Sequence, residues 1–178
     1  MKVIPTLAIV LISAAFSPGE LSLLIGQTKE NLSVASPKDL RNASTEVVID
    51  NRALSLSAFP WRDFMPGGWG QDGSPLMVSL KVSSVDRKSL PNVRLDRAWV
   101  LFGEQTWEIF DLRGRTAGQN ADKDSWIDCS NVPVCETTVR DGPKWGPGVF
   151  VDIVVRLTDS KGNHHLLRAP NQNVMRSD

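Results

Sequence analysis

The chain has 178 residues, with acidic and basic side chains in equal number and a net charge of zero. That length allows one domain of ordinary size plus a leader. A neutral chain lacks the basic face that DNA or RNA binding demands and the polybasic stretch that holds a protein to anionic lipid.

The first element in chain order is a leader. Lys2 opens it, residues 3–16 are apolar except at Pro5, Thr6 and Ser13, and Ser17-Pro18-Gly19-Glu20 ends the run. Positive start, apolar core and polar boundary are the layout of a secretory signal. The expectation is a cleaved leader over residues 1–26, with Ala15 and Gly26 as alternative cut positions. Glu20 and the Pro-Gly pair interrupt the roughly 20 apolar residues a membrane helix needs, so membrane attachment is expected only if the leader stays uncleaved. The predicted location is outside the cytosol: secreted, periplasmic or at the cell surface. No cysteine stands near either cut, which argues against a lipoprotein anchor.

Residues 27–44 are polar and aperiodic and read as a linker. They hold Asn31-Leu32-Ser33 and Asn42-Ala43-Ser44, tripeptides that become N-glycosylation acceptors only in a eukaryotic host.

From residue 45 to 178 the pattern is that of strands, ending in a short polar tail. Leu54, Leu56 and Ala58 alternate with serines. Leu76, Val78, Leu80 and Val82 alternate with Met77, Ser79, Lys81 and Ser83. Val149, Val151, Ile153, Val155 and Leu157 share one face. A period of two with one apolar face is what a half-buried antiparallel strand requires. Residues 97–102 form an apolar run suited to a central strand. Gly103-Glu104-Gln105 turns it into residues 106–110, and residues 136–140 carry a β-prone Thr-Thr-Val. The cluster Asp159-Ser160-Lys161-Gly162-Asn163 predicts a hairpin between the last two strands. About seven strands with turns between them indicate an all-β, antiparallel two-sheet sandwich.

The succession of residues 76–84, 97–109 and 149–169 resembles the B, C–C′ and F–G strands of immunoglobulin-like or fibronectin type III-like modules. The resemblance implies an immunoglobulin-like sandwich with Trp99, on the C-type strand, in the core. Two features depart from that pattern. The chain has no tyrosine, so a tyrosine corner is absent. Cys129 and Cys135 are also too close in sequence to bridge two sheets in the usual way.

In an oxidising compartment those two cysteines read as a disulfide closing a small ring, worth about 2 kcal/mol in the chain-entropy model. Two buried free thiols are the other reading. Neither points to catalysis, because the spacing is not Cys-x-x-Cys and no histidine lies nearby.

Residues that could carry chemistry are few. His164 and His165 are adjacent, and on a strand they point to opposite faces, so they cannot share an ion. No serine-nucleophile, zinc-protease or phosphate-loop motif is present. No catalytic residues are assigned and no cofactor is expected. Asn120, Asp122, Asp124 and Asp128 place oxygens at calcium-loop positions one, three, five and nine. Ser125 and Asn131 stand where such a loop wants glycine and a bidentate carboxylate, so calcium is the weaker reading.

Trp61, Trp69 and Trp145 lie in Pro/Gly-rich segments, where exposed indoles build platforms for sugars or docking sites for proteins. Buried, the same side chains cap the core. The functional expectation is an exported, non-catalytic module that binds a protein or glycan partner or serves in assembly. A carbohydrate-binding module using those tryptophans is one alternative. A hydrolase with two carboxylates among Asp122, Asp124, Asp128, Asp141 and Asp152 is the other.

Overall fold

Four apolar residues of one strand, Leu76, Val78, Leu80 and Val82, are all buried on one face. Ser79, Lys81 and Ser83 point the other way. The same alternation recurs along most of the chain in a computed structural model that describes residues 35–66, 69–113 and 125–178. The expected leader and most of the expected linker lie outside the described residues.

Ten strands and one short helix are described. They are α1 (Pro37–Arg41), β1 (Glu46–Ile49), β2 (Arg52–Asp63), β3 (Leu76–Ser84), β4 (Val93–Phe102) and β5 (Gln105–Ile109). Then come β6 (Ile127–Asp128), β7 (Val134–Gly142), β8 (Phe150–Asp159), β9 (His164–Asn173) and β10 (Met175–Ser177). One sheet runs β1-β2-β3-β7, with β10 also on β2. The other runs β5-β4-β8-β9, with β6 also on β4. The two sheets pack face to face, so the molecule is an all-β two-sheet sandwich. All strand pairs are antiparallel except β10 with β2.

Local chemistry sets the hairpins. Asp50 and Asn51 both take positive φ between β1 and β2, the backbone that a two-residue type I′ turn requires and that Asp and Asn tolerate. Between β8 and β9, Asp159 Oδ1 accepts from the backbone of Lys161 and Asn163 at 2.9 Å each. Gly162 supplies the left-handed residue there, at φ 83°.

Between the sheets, Leu54, Leu80, Val100, Ile153, Leu157 and Leu167 are among the side chains that form the main core. Cys129 and Cys135 belong to it and stand at disulfide distance, Cα–Cα 5.2 Å. Cys129 follows β6 of one sheet and Cys135 lies on β7 of the other. The pair therefore ties the sheets through a short loop, a bridge that positions only six apart in sequence can make where the chain itself crosses over.

Trp99 departs from what the resemblance implied. It is buried, but on the outer face of β4, with Leu40, Ala43, Leu101 and Val154. The cause is an irregularity in register between Leu95 and Arg97. Leu95 and Ala98 both face the main core, with two residues between them instead of one. That slip turns Trp99 outward.

The cover over Trp99 comes from residues assigned to the linker. Ser36 caps α1: its Oγ accepts from Asp39 N at 3.2 Å, and Asp39 Oδ2 accepts from Ser36 N at 3.1 Å. Pro37 takes the first helical turn, where its missing N–H costs nothing. Leu40 is then driven onto the sheet. Ser44 O accepts from Arg168 N at 2.7 Å, anchoring the segment to β9. Residues 35–44 are thus part of the domain. The polar C-terminal tail is likewise structured, as β10. The helix that is described is too short and polar to cross a membrane, and no described helix could.

Candidate functional site

The Pro/Gly-rich loops meet at one end of the sandwich, around Arg62. Its guanidinium is buried and donates to four carbonyls. Nε reaches Ser74 O at 2.8 Å, Nη1 reaches Lys144 O at 3.3 Å and also Gly146 O, and Nη2 reaches Asp72 O. Among the described residues, no carboxylate bonds to it. Burial pushes its pKa down, and nearby Asp72 opposes that shift. The planar fork satisfies backbone oxygens of two loops at once. Phe64 stacks against the Arg62 and Arg176 guanidinium groups, 5.0 and 4.4 Å from its ring centroid.

This clamp separates the three tryptophans singled out from sequence. Trp145 packs on the main core and against Phe102, with centroids 5.5 Å apart, and its Nε1 donates to Gln105 Oε1 at 2.8 Å. It caps one end of the core. Trp69 stands 53% exposed on the loop after β2. Trp61 is half-buried on the outer face of the first sheet, beside Phe59 at 5.7 Å and 31°. Register places Met175 on one side of Trp61 and Met77 on the other. Arg140 Nη1 lies 3.5 Å from Met77 Sδ. Ser79 and Thr138 lie in the row of Phe59, and Ser57, Lys81 and Glu136 form the next row of that face.

The other sheet presents a charged outer face. Arg156 Nε donates to Asp96 Oδ1 at 2.7 Å, and Thr158 Oγ1 donates to Asp96 Oδ2 at 2.5 Å. Thr158 has thereby spent its proton, so His164 Nδ1, 2.9 Å away, is the donor in that contact. His165 Nε2 meets Asp159 Oδ2 at 3.0 Å. The Asp159 carboxyl is held well below the usual carboxylate range by His165 and by Asn163, more than offsetting its own burial. The histidines engage different partners, in keeping with their opposite directions on the strand.

Near this network lies a cleft of about 360 Å³ between the start of β4, β6 and the β8–β9 turn. Trp126, 40% exposed, forms one wall, with Arg94, Asp128, Asn92 and Ser160 around it. Sequence reasoning passed over Trp126 because it looked at Pro/Gly-rich surroundings. The available signal was an aromatic directly beside an acidic run. A second cleft, of about 390 Å³, has Arg41, Asp152, Arg168 and Phe150 in its lining. Its charges are already paired: Arg168 with Asp152 at 3.5 Å and Arg41 with Glu104 at 3.3 Å.

Asn120, Asp122 and Asp124 of the calcium reading lie outside the described residues. Asp128 is on β6, where Ser130 holds its carboxyl below the ordinary range through hydrogen bonds. Among the described residues, no three metal-ligating side chains converge.

The carboxylate pair of the hydrolase reading is not formed by Asp128, Asp141 and Asp152. Asp128 pairs with Arg94 and Asp152 with Leu101, roughly 23 Å apart along β4 at a rise of about 3.3 Å per residue. Asp141 belongs to the opposite sheet. Asp122, like Asp124, lies outside the described residues.

The class defined by this geometry is an all-β two-sheet sandwich domain. No family model and no curated protein matches the chain. Two solved structures are similar to it. One is a provisionally assigned ApaA protein from Bordetella pertussis, at 14% identity and TM-score 0.39, covering 76% of this chain and 99% of that one. The other is an X-ray structure of a structural-genomics target, at 11% identity and TM-score 0.35, covering 68% and 86%. At such scores neither carries an argument about this chain.

Proposed function

We propose that the chain is an exported, non-catalytic β-sandwich module that binds a protein partner at the cell surface or in the periplasm. The observation that supports this reading is the Phe59–Trp61 pair on the open face of the first sheet. Phe59 is 53% and Met175 43% exposed beside a half-buried Trp61, and the outer face of the second sheet is covered where Leu40 lies on Trp99. Apolar aromatics at the centre of a polar surface are the usual anchors of protein interfaces. Ser79 and Thr138 beside Phe59 are small, uncharged and easily desolvated or bridged by water. Lys81, Glu136 and Arg140 supply a charged rim. The polarity of the leader supports export, and Cys129 with Cys135 suits an oxidising compartment.

The test is affinity capture from the exported fraction with the full chain as bait, alongside a Phe59→Ala/Trp61→Ala variant of equal thermal stability. A partner held by the wild type and lost by the variant supports the reading. A partner profile identical for both proteins counts against it, as does retention of the chain in the cytosol.

A further inference from the structure

We propose that the Trp126 cleft binds a saccharide. This site is separate from the open sheet face: it sits on the other sheet, at the start of β4. The lining offers three kinds of surface close together. Trp126 presents an indole that is 40% exposed. Arg94 approaches Asp96 Oδ2 only at 3.9 Å and lies 5.9 Å from the Trp126 ring centroid, the outer limit of a cation–π contact. Among the described residues no acceptor bonds to its terminal nitrogens, which can serve as donors. Asp128 uses Oδ1 to accept from Ser130 N at 2.9 Å, leaving Oδ2 as an acceptor on a carboxyl that stays ionised. Asn92 accepts from Asn131 through its Oδ1 at 3.3 Å, which leaves its Nδ2 as a donor at the rim of the cleft.

Charge chooses among ligand classes. A phosphate would meet one guanidinium but two carboxylates, those of Asp128 and Asp159. A divalent cation would meet Arg94, and Asp159 already accepts from Lys161, Asn163 and His165. An apolar ligand would strand Arg94 and Asp128 without partners. A sugar ring satisfies every group. Its C–H face stacks on an indole, while its hydroxyls both donate and accept. A carboxylate opposite a guanidinium and an amide then binds adjacent hydroxyls with charge-assisted bonds. A volume of about 360 Å³ lies at the lower end of the range for small-molecule sites, which suits a short oligosaccharide end rather than a long chain.

The test is saturation-transfer NMR and calorimetric titration of the full chain with four defined probes: maltotriose, cellotriose, chitotriose and mannotriose. At least one should bind, with saturation strongest at ring C–H protons. Trp126→Ala should weaken it about tenfold or more, the loss of one stacking contact, and Asp128→Asn should weaken it as well. Trp69→Ala and the Phe59→Ala/Trp61→Ala variant should bind as the wild type does. Circular dichroism of both variants should match the wild type, as should the thermal melt of Trp126→Ala, because Trp126 is at the surface. Binding to none of the four overturns the proposal. So does binding insensitive to Trp126→Ala, loss on Trp69→Ala, or displacement by inorganic phosphate or calcium chloride. A partner profile left unchanged by Phe59→Ala/Trp61→Ala, with saccharide binding intact, would sink only the sheet-face reading.

Discussion

Arg62 Nε donates to the Ser74 carbonyl at 2.8 Å, and the same guanidinium reaches Lys144 and Gly146, 82 and 84 residues further along the chain. A buried cation held by backbone oxygens has a demanding geometry. It makes the loop carrying Trp69 and the loop carrying Trp145 a single unit.

Arg62→Ala should therefore destabilise the domain by at least about 3 kcal/mol, since several buried carbonyls lose their donor together. Arg62→Lys should recover only part of this, because an ammonium cannot reproduce the planar fork. Urea unfolding of the three proteins measures both effects. Equal stability of the Lys variant and the wild type would show that charge alone matters.

Removing the Cys129–Cys135 pair by double substitution to serine should lower stability by about 2 kcal/mol, the ring-closure value for a short loop. The wild type should lose a similar amount in reductant, and the double variant should be indifferent to it. Denaturant midpoints with and without dithiothreitol check this.

Acid should weaken the fold through the carboxylates that cap turns. Ser84 Oγ and then Lys88 N hold the Asp86 carboxyl at about 2, and Asp159 is also held below its ordinary value. Both folded pKa values lie below the unfolded value of about 3.9. Their contribution is complete above that value and is lost as pH falls through the folded one. Urea midpoints should drop steeply below about pH 4, where the unfolded chain takes up more protons. An Asp86→Asn/Asp159→Asn variant should be less stable at pH 7 and show a flatter acid limb.

Leu40→Ala should cost about 2 kcal/mol, by opening a cavity against Trp99 and Val154. It should also shift tryptophan emission to the red, because Trp99 is only 2% exposed in the wild type. Unchanged emission together with unchanged stability would mean that α1 is not held on the sheet.

Much of the sandwich was legible because strand alternation is local. Leu76 to Val82 and Val149 to Leu157 report a buried face at every second residue, and Asp159 to Asn163 report their own turn. The capping signature Ser36-Pro37-Lys38-Asp39 was also readable, but a five-residue helix inside a polar stretch offers no apolar period to draw attention to it. The candidate site was far less legible. Trp61, Trp69 and Trp145 look alike in sequence, yet one lies half-buried on a sheet face, one is exposed on a loop and one caps the core. Trp126, in plain view, gains its meaning only from Arg94 and Asp128 beside it.

Alternation and turn chemistry by themselves determined the antiparallel strands that build the two sheets, because those signals act over a few residues. Tertiary structure alone decided which side Trp99 faces, what covers it, where β10 adds and how Arg62 joins two distant loops. Each of those depends on groups far apart in the chain. A one-residue slip in register, as between Leu95 and Arg97, exchanges inside for outside without altering the apolar pattern on which a sequence reading rests.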